Sequence, residues 1–489
     1  MYRPYKRILV VFLLVFLMSC TPPVKADVSS DSLVVEFSGG QRTVQIVRAD
    51  LKDKTIRIEA AVAKNQIGLA DELSSIAEQL SRPGREVVAA INGSYFSAYD
   101  GYPVPWNTIE KQGEFVHIGN TGSVIGFTGD NQVKIDNLFV GIKGATGGNW
   151  KWPDDWYAWG FNHMITDDGA VVIFTPAYGS TTGPHNNVSV VVRQGVITDI
   201  HQGQAAIPPD GYVIMDGDRS ILDRFKVGKT IDYRLEFSKI DFSRGIDHEV
   251  AGAPLQWDQV RTTVGAGPTL LKNGNIIADG ATEGFFEDKI LTLRGARSFV
   301  GVTYDQVLVM GTVPNVTIRE LGEIAQNIGL YQAITLDSNA SSGLYYQGSY
   351  ITRPGRELSN ALVITRLAAP PVRIMLNNRE LFFDADPVVV DGRTLVPMGV
   401  IFKEMGITPT YNAQNESIVV NAKGLDLAFK INSMTAAVNG KNQTLETPAM
   451  LINDRTYLPV RFFVESLGGK VVWDGSKNMV MITLQLPGQ

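Results

Sequence analysis

The sequence is nearly free of cysteine and contains few histidines. Cys20 is the only cysteine in 489 residues, and it lies close to the N-terminus. The folded part of the chain therefore has no disulfide, and core burial must stabilise it. The five histidines are scattered, with no HExxH motif and no paired metal-ligand spacing. The sequence therefore gives no indication of a disulfide scaffold, thiol catalysis or a histidine-based zinc site, and we predict no metal and no other cofactor.

Other familiar signals of function are also missing. The chain contains neither a GxSxG nucleophile elbow nor a Walker-type GxxxxGK[ST] loop. A net charge of −6 is small for this length and argues against nucleic acid as the main partner. The remaining candidates for acid–base chemistry are carboxylates supported by arginines and amides.

Long hydrophobic runs are scarce, and the clearest one is N-terminal. Three basic residues within positions 3–7 precede the apolar run 8–18. This run is too short for a bilayer core of roughly 30 Å and is typical of a signal peptide, which we assign to residues 1–26. Cleavage before Cys20, in the lipobox-like LMSC at 17–20, would leave a lipid-anchored lipoprotein. Cleavage after Ala26 would leave a free protein. Both alternatives predict export to the extracellular space or the cell surface.

The composition that remains indicates a strand-rich globular protein. The apolar fraction is 44%, the charged fraction is 19%, and the 48 glycines often accompany Asx residues in turn-like positions. We predict an α+β fold, in which a large domain of mixed sheets at residues 30–367 precedes a smaller β-rich module with helices at 373–485.

The large domain is organised around residues 291–364. Their pattern predicts a hairpin, a helix opened by the capping box Thr317-x-x-Glu320, and a short strand at 333–336. This strand leads into Asp337, Ser338 and Asn339. Loops at strand ends commonly carry chemistry, so this segment is the predicted functional centre.

Two other segments bring side chains suited to binding. A predicted strand at 86–91 ends on Asn92. An aromatic-rich segment at 150–161 could bind sugar rings through its ring faces, although a β-rich core uses the same residues. The pattern favours the core interpretation.

The C-terminal part contains an internal repeat. Residues 390–397, VDGRTLVP, return at 452–459 as INDRTYLP, an offset of 62 positions. A proline-rich segment at 368–372 precedes the repeat and is predicted to be a linker. We expect the two units to share one core, because one unit alone would bury little surface.

Five short motifs occur in one order along the large domain. They are NGSYF at 92–96, GAGPTLLKNG at 265–274, RS at 297–298, LDSNAS at 336–341 and RELSNA at 356–361. Together they resemble the phosphodiester glycosidase family. The module at 373–485 is similar to the copper amine oxidase N-terminal-like domain. That name implies neither copper binding nor oxidase activity here, since the sequence shows no ligand set for copper.

The resemblance implies an exported hydrolase that cleaves sugar-1-phosphodiesters, and it suggests roles for individual residues. Asp337 would be the base or nucleophile, Arg297 and Arg356 would clamp the phosphate, and Asn92 would orient a sugar hydroxyl or the water. A bound phosphate suits the planar guanidinium fork of arginine. Further substrate contacts are expected from Asn339, Ser341 and Asn360. Asp100, Asp305 and Glu357 are candidates for a second carboxylate.

One departure from the family pattern leaves a second interpretation open. The family has glycines where this chain has Ser338, Asn339 and Ala340. Glycine in such a loop usually provides a positive φ or close approach of the backbone to a ligand. The alternative is therefore a non-catalytic envelope protein that binds glycans and has retained the fold. In both cases the expected partners are a glycan or sugar phosphate and, through the C-terminal module, the cell envelope. Membrane contact is expected only through a lipid at Cys20.

Overall fold

The computed structural model describes residues 28–484, apart from 100, 164–169, 218–221, 241–250, 384, 391, 405–406, 408, 413–416, 423–424 and 453–454. The predicted signal peptide, including Cys20, therefore lies outside the described residues. Within them strands predominate and helices are few, which confirms the strand-rich prediction. No helix in this described part is both long and apolar enough to cross a membrane.

Two antiparallel sheets form the centre of the large domain. The seven-stranded central sheet has the order Val28–Phe37, Gly40–Asp50, Val307–Val316, Gly295–Thr303, Leu330–Thr335, Thr269–Lys272 and Asn275–Ile276. The five-stranded second sheet has the order Ser349–Thr352, Leu344–Tyr346, Arg85–Asn92, Asn360–Leu367 and Ile56–Val62.

The two sheets pack face to face, and a helix covers the outer face of each. Val47 and Met310 of the central sheet share one buried cluster with Ile91 and Leu362 of the second sheet. The helix Ile318–Asn327 buries its apolar side on the central sheet. The helix Leu73–Glu78 buries its apolar side on the second sheet. The centre of the domain thus has four layers, in the order helix, sheet, sheet, helix.

Three further sheets surround this centre. The first has the strand order Glu114–His117, Ile109–Lys111, Val260–Gly265, Val124–Thr128 and Val133–Asp136. The second has the order Gly160–Phe161, Val171–Phe174, Gly211–Asp216, Val188–Arg193 and Val196–Gln202. The third has the order Asp155–Ala158, Leu138–Thr146, Ile231–Ile240 and Ala251–Pro254. The remaining helical segments are the α-helix Asp288–Leu291 and the 3-10 turns Ala63–Asn65, Leu222–Arg224, Gly280–Glu283 and Asn339–Ser341.

The central helix begins and ends at the residues that the sequence indicates. Thr317 accepts a hydrogen bond from the backbone N–H of Glu320, and the Glu320 carboxylate accepts one from the backbone N–H of Thr317. Gly329 follows the helix with a φ of 89°. A capping box and a left-handed glycine together define the limits of this helix.

Apolar residues at helical spacing predict a helix within 69–80, but the observed helix is shorter, because the backbone just before it pairs with another segment. The backbone of Asp71 exchanges two hydrogen bonds with Leu358, at 3.0 and 2.8 Å. Residue 71 is therefore extended, and the helix begins only at Leu73.

The aromatic segment at 150–161 is divided between the core and the surface. Trp156 and Phe161 are buried, in agreement with the core interpretation. Trp152, Tyr157 and Trp159 are exposed.

The C-terminal module has its own core. One of its sheets has the strand order Arg379–Leu381, Arg373–Leu376, Met479–Thr483 and Lys470–Asp474. Another has the order Val388–Val390, Arg393–Pro397, Arg455–Pro459 and Met450–Ile452. A further sheet has the order Thr410–Asn412, Ser417–Ala422, Leu425–Lys430, Thr435–Val438 and Lys441–Thr444. Its helices are Met398–Glu404 and Val460–Ser466. Strands Arg393–Pro397 and Arg455–Pro459 pair antiparallel at the centre of one sheet.

The segment that joins the two parts is held at both ends. The backbone N–H of Ala368 donates to Gly84 of the large domain at 2.9 Å. Asn478 of the module donates to the backbone oxygens of Pro370 and Pro371, each at 2.9 Å. This segment is therefore a fixed joint in the structure and not a free spacer.

Candidate functional site

The ends of two strands from different sheets meet at Asp337. Asn92 ends a strand of the second sheet, and its Nδ2 donates to the backbone oxygen of Asp337 at 2.6 Å. The backbone N–H of Asp337 donates in turn to the backbone oxygen of Gly93 at 3.0 Å. The two polar strand ends predicted from the sequence therefore lie side by side, and the Asp337 backbone is fixed from both directions.

The amide oxygen of Asn92 accepts two further hydrogen bonds, which hold neighbouring segments next to Asp337. This oxygen accepts from Ser298 Oγ at 2.7 Å and from the backbone N–H of Gly343 at 3.1 Å. Asn92 is 1% exposed and lies beneath Asp337, outside the cleft wall. Its contacts position Asp337, whereas the sequence suggested that it would touch a sugar hydroxyl or water.

Asn360 is also buried, away from the cleft lining. Its Oδ1 accepts from the backbone N–H of Ser94 at 2.9 Å, and its Nδ2 donates to Ser359 Oγ at 2.7 Å. A Cβ atom on Gly93 would lie 2.0 Å from Asn360 Oδ1, so any other residue at that position would displace the Asn360 side chain. Asn360 therefore shapes the 92–94 turn in this structure, although the sequence suggested a substrate contact.

The Asp337 carboxylate lies at a cleft of about 210 Å³. It accepts a hydrogen bond from the backbone N–H of Ser338 at 2.7 Å. Desolvation raises the pKa of Asp337 to about 6, while the Ser341 hydroxyl, the Ser338 N–H and the positive charges of Arg356 and Lys289 oppose that rise. A carboxyl with this pKa is a suitable base near neutral pH.

The loop after Asp337 accommodates its departure from the family's glycines. Of Ser338, Asn339 and Ala340, only Asn339 has a positive φ, at 58°, which asparagine tolerates well. The Asn339 side chain lies against Gly295, where a Cβ atom would come within 2.1 Å of its Oδ1. The loop therefore forms without steric conflict, and the side chains of Ser338, Asn339 and Ser341 line the cleft.

Aromatic rings form one part of the cleft wall. Tyr95, Phe96, Tyr99 and Trp106 all line it. The Tyr95 hydroxyl donates to the backbone oxygen of Gly267 at 2.9 Å, which fixes its ring, while 85% of Tyr99 is exposed. Such rings can stack on the apolar faces of sugars. The sequence motif at 92–96 contained Tyr95 and Phe96, but nothing in the sequence indicated that Tyr99 and Trp106 would lie here.

Cationic side chains form another part of the cleft wall. Arg356 donates to the Tyr99 hydroxyl at 2.7 Å and lies over its ring at 4.9 Å. Lys289, from the short helix Asp288–Leu291, also lines the cleft. Lys289 was not predicted, because it lies in no recognisable motif.

Arg297 lines the cleft as well, but it is largely occupied by the backbone. Its Nε donates to the oxygen of Val316 at 3.2 Å, and its Nη2 donates to the oxygens of Lys289 and Leu293 at 2.9 and 2.6 Å. It is 1% exposed, and burial lowers the pKa of its guanidinium. The Nε–Nη2 edge of the guanidinium is therefore already used by backbone oxygens.

Asp337 is the only carboxylate among the described residues that line the cleft. Glu357 is exposed outside this lining, and Asp305 lies in a hairpin turn where Thr303 donates to it at 2.5 Å. Asp100 lies outside the described residues. In the described part of the chain, no group of three or more His, Cys, Asp or Glu residues could hold a metal ion.

Comparisons with solved structures identify a similar fold in the first two of the following three proteins. A hypothetical protein from Synechocystis matches with a TM-score of 0.60 and 20% identity over 70% of this chain and 62% of its own length. A protein from Burkholderia pseudomallei, whose description suggests export, matches with a TM-score of 0.52 and 16% identity over 66% of this chain and 74% of its own length. The catalytic domain of zebrafish N-acetylglucosamine-1-phosphodiester alpha-N-acetylglucosaminidase gives a TM-score of 0.37 at 11% identity, covering 70% of this chain and 84% of its own. This chain spans less than two thirds of the Synechocystis protein.

Family models identify two regions, although no curated protein matches the chain. Residues 186–365 match the phosphodiester glycosidase model, and residues 375–482 match the copper amine oxidase N-terminal domain model. The first match contains Arg297, Asp337 and Arg356. The chain therefore carries a region of the phosphodiester glycosidase family followed by a copper amine oxidase N-terminal domain.

Proposed function

We propose that this protein is an exported hydrolase that cleaves sugar-1-phosphodiesters on cell-envelope or extracellular glycans. The observation that carries the proposal is a single cleft in which the Asp337 carboxylate lies with aromatic rings and cations. Rings suit a sugar, cations suit a phosphate, and a carboxylate suits the transfer of a proton or a glycosyl group. The family match over 186–365 supports the same reaction class.

In this reaction Asp337 takes a proton from water as the water oxygen forms a bond with the anomeric carbon. The bond between that carbon and the phosphodiester oxygen breaks, and its electron pair leaves with the phosphate. The products are a reducing sugar and a phosphomonoester, and the proton on Asp337 returns to solvent. In a retaining variant of the reaction, Asp337 attacks the anomeric carbon as the bond to the phosphate breaks. Water then displaces Asp337 from that carbon and loses its proton to solvent, which releases the sugar.

A phosphate leaving group makes one carboxylate sufficient in this proposal. An alcohol needs a proton from a general acid, whereas a phosphate departs as an anion that positive charge can stabilise. Arg356 and Lys289 supply such charge at the cleft. Their presence offsets the absence of a second carboxylate from the described lining.

We further propose that the C-terminal module holds the enzyme at the cell envelope. We propose that the sequence repeat gives rise to the two equivalent strands that pair at the centre of one module sheet, Arg393–Pro397 and Arg455–Pro459. Lipidation at Cys20 would add a membrane anchor.

The test incubates the full chain with a panel of sugar-1-phosphodiesters and measures released reducing sugar. Asp337→Asn should lower turnover by about 100- to 10,000-fold, the range for a lost general base. Asp305→Asn is the matched control, because it changes a carboxylate in a distant hairpin turn, and it should turn over like the native chain.

A binding protein without catalysis is the second candidate, and the replaced glycines of the 338–340 loop favour it. A variant with glycine at all three positions separates the two interpretations. No turnover by the native chain, together with activity in that variant, would show that the loop had silenced an intact site. If both are inactive on envelope polymers and the native chain still binds them, the hydrolase proposal is wrong.

A further inference from the structure

The short helix Asp288–Leu291 presents one lysine to the cleft. Lys289 Nζ lies 2.9 Å from Glu287 Oε2 and 5.9 Å from the centre of the Trp106 ring. Its side chain is 55% exposed, so the ammonium group remains accessible to a ligand. Lys289 acts electrostatically on Asp337, as Arg356 does. A cation therefore lies on the part of the cleft wall that this helix forms, in the same cleft as the Trp106 ring and the Asp337 carboxylate.

This helix is too short to hold its own position by internal hydrogen bonds. A helix of four residues leaves nearly all of its terminal carbonyl groups without an intrahelical partner. Arg297 supplies partners at its C-terminal end, because one Nη2 group donates to both the Lys289 and Leu293 oxygens. The same guanidinium donates through Nε to Val316, the residue that precedes the capping box of the central helix. Arg297 thus ties the short helix to the central sheet.

These contacts indicate different roles for Lys289 and Arg297. We propose that Lys289 binds the phosphate of the substrate and that Arg297 is its positioning residue, which holds the Lys289 helix against the cleft. This inference rests on the proposed function of the cleft. It reassigns the arginine that the sequence suggested as a phosphate clamp, and it adds a lysine that no motif identified.

The first test measures the binding of inorganic phosphate to the full chain by calorimetry, which requires no turnover. Lys289→Met should weaken phosphate binding by about 10- to 100-fold, the usual range for a lost charge-assisted hydrogen bond. With a substrate that the native chain cleaves, KM should rise and kcat should fall, because the same charge binds the phosphodiester and stabilises the departing phosphate. Lys289→Arg should restore most of the binding. Lys272→Met is the matched control, since Lys272 is an exposed lysine at the end of a central-sheet strand, and it should bind phosphate like the native chain.

The second test is a double-mutant cycle. Arg297→Gln should weaken phosphate binding to a similar extent as Lys289→Met, and the double variant should be no more than about twofold weaker than Lys289→Met alone. Arg297→Lys should behave like Arg297→Gln, because one ammonium group cannot span the carbonyls that the guanidinium fork joins. It therefore provides a second variant in case the first fails to fold.

Three results would overturn the inference. Phosphate binding unchanged in Lys289→Met would show that Lys289 is not a phosphate ligand. Losses that multiply in the double variant, or binding retained in Arg297→Lys, would show that Arg297 contacts the phosphate directly. A different outcome would contradict the proposed function: the native chain would bind phosphate but cleave no member of the substrate panel.

Discussion

The Asp337 carboxyl is surrounded by groups that act on its ionisation in opposite directions. Desolvation in the cleft favours the neutral acid, whereas the Ser341 hydroxyl, the Ser338 N–H, Arg356 and Lys289 favour the carboxylate. The balance leaves the pKa of Asp337 at about 6. A base with this pKa is ionised at neutral pH and still strong enough to accept a proton in the transition state.

This balance predicts the pH dependence of the reaction. Since the ionised form is the active one, kcat/KM should be constant above pH 6 and fall about tenfold per unit below it. Lys289→Met removes a positive charge that lowers the pKa of Asp337, so its midpoint should lie at a higher pH than that of the native chain. Initial rates between pH 4 and 9 measure both midpoints. A flat native profile would contradict the role of Asp337 as base or nucleophile.

At the scale of secondary-structure elements, the cleft depends on Asn92, because this residue links the second sheet to the central sheet. Asn92→Ala would leave Ser298 Oγ and the Gly343 N–H without their acceptor, and Asp337 without the hydrogen bond that holds its carbonyl. We expect the free energy of unfolding to fall by roughly 2–4 kcal/mol, because buried polar groups would lose their partners. Turnover per folded molecule should fall too, since Asp337 would lose its fixed position.

Denaturant unfolding and initial rates test this expectation together. Asn120→Ala is the matched control, because Asn120 also bonds a neighbouring backbone through both ends of its side chain, at Val140. It should lower stability while leaving turnover per folded molecule unchanged. Equal turnover in Asn92→Ala and the native chain would show that Asn92 has a purely structural role.

The sequence predicted elements best where local rules determine them. The capping box at Thr317 and the strand that leads to Asp337 follow from short-range chemistry, and the structure contains both. The start of the helix at Leu73 was missed, because the pairing of Asp71 with Leu358 involves residues far apart in sequence. Lys289 was missed because it lies in no recognisable motif. Only the bonds from Arg297 show that its helix belongs to the cleft.

At the scale of the whole molecule, an ionic cluster fastens the C-terminal module to the large domain. Asp386 Oδ2 of the module accepts from Arg82 at 3.0 Å and from Arg85 at 2.9 Å. The Arg85 side chain is only 5% exposed and also pairs with Glu59 at 2.8 Å. Phe382 of the module lies under the Arg261 guanidinium at 3.8 Å. These contacts involve side chains from both parts, and no single segment of sequence revealed them.

This arrangement predicts that the two parts unfold together and that Asp386→Ala uncouples them. The loss should be roughly 1–3 kcal/mol, because the variant leaves a buried arginine with one partner fewer while Asp386 itself is partly exposed. In scanning calorimetry the native chain should give one transition and the variant two. Glu446→Ala, which breaks an exposed pair with Arg393 within the module, is the control and should preserve the single transition. Two transitions in the native chain would show that the joint does not couple the parts.

The first and last strands of the module, Arg373–Leu376 and Met479–Thr483, pair in parallel with each other. Asn478, next to the last strand, is the residue that holds Pro370 and Pro371. During synthesis the opening strand can pair early with Arg379–Leu381, but about a hundred later residues must be made before its parallel partner is present. A premature stop codon ahead of the last strand would leave one edge of the opening strand unpaired and the proline segment unheld. The joint thus distinguishes finished from unfinished chains, and proteases would be expected to cut truncated products there first.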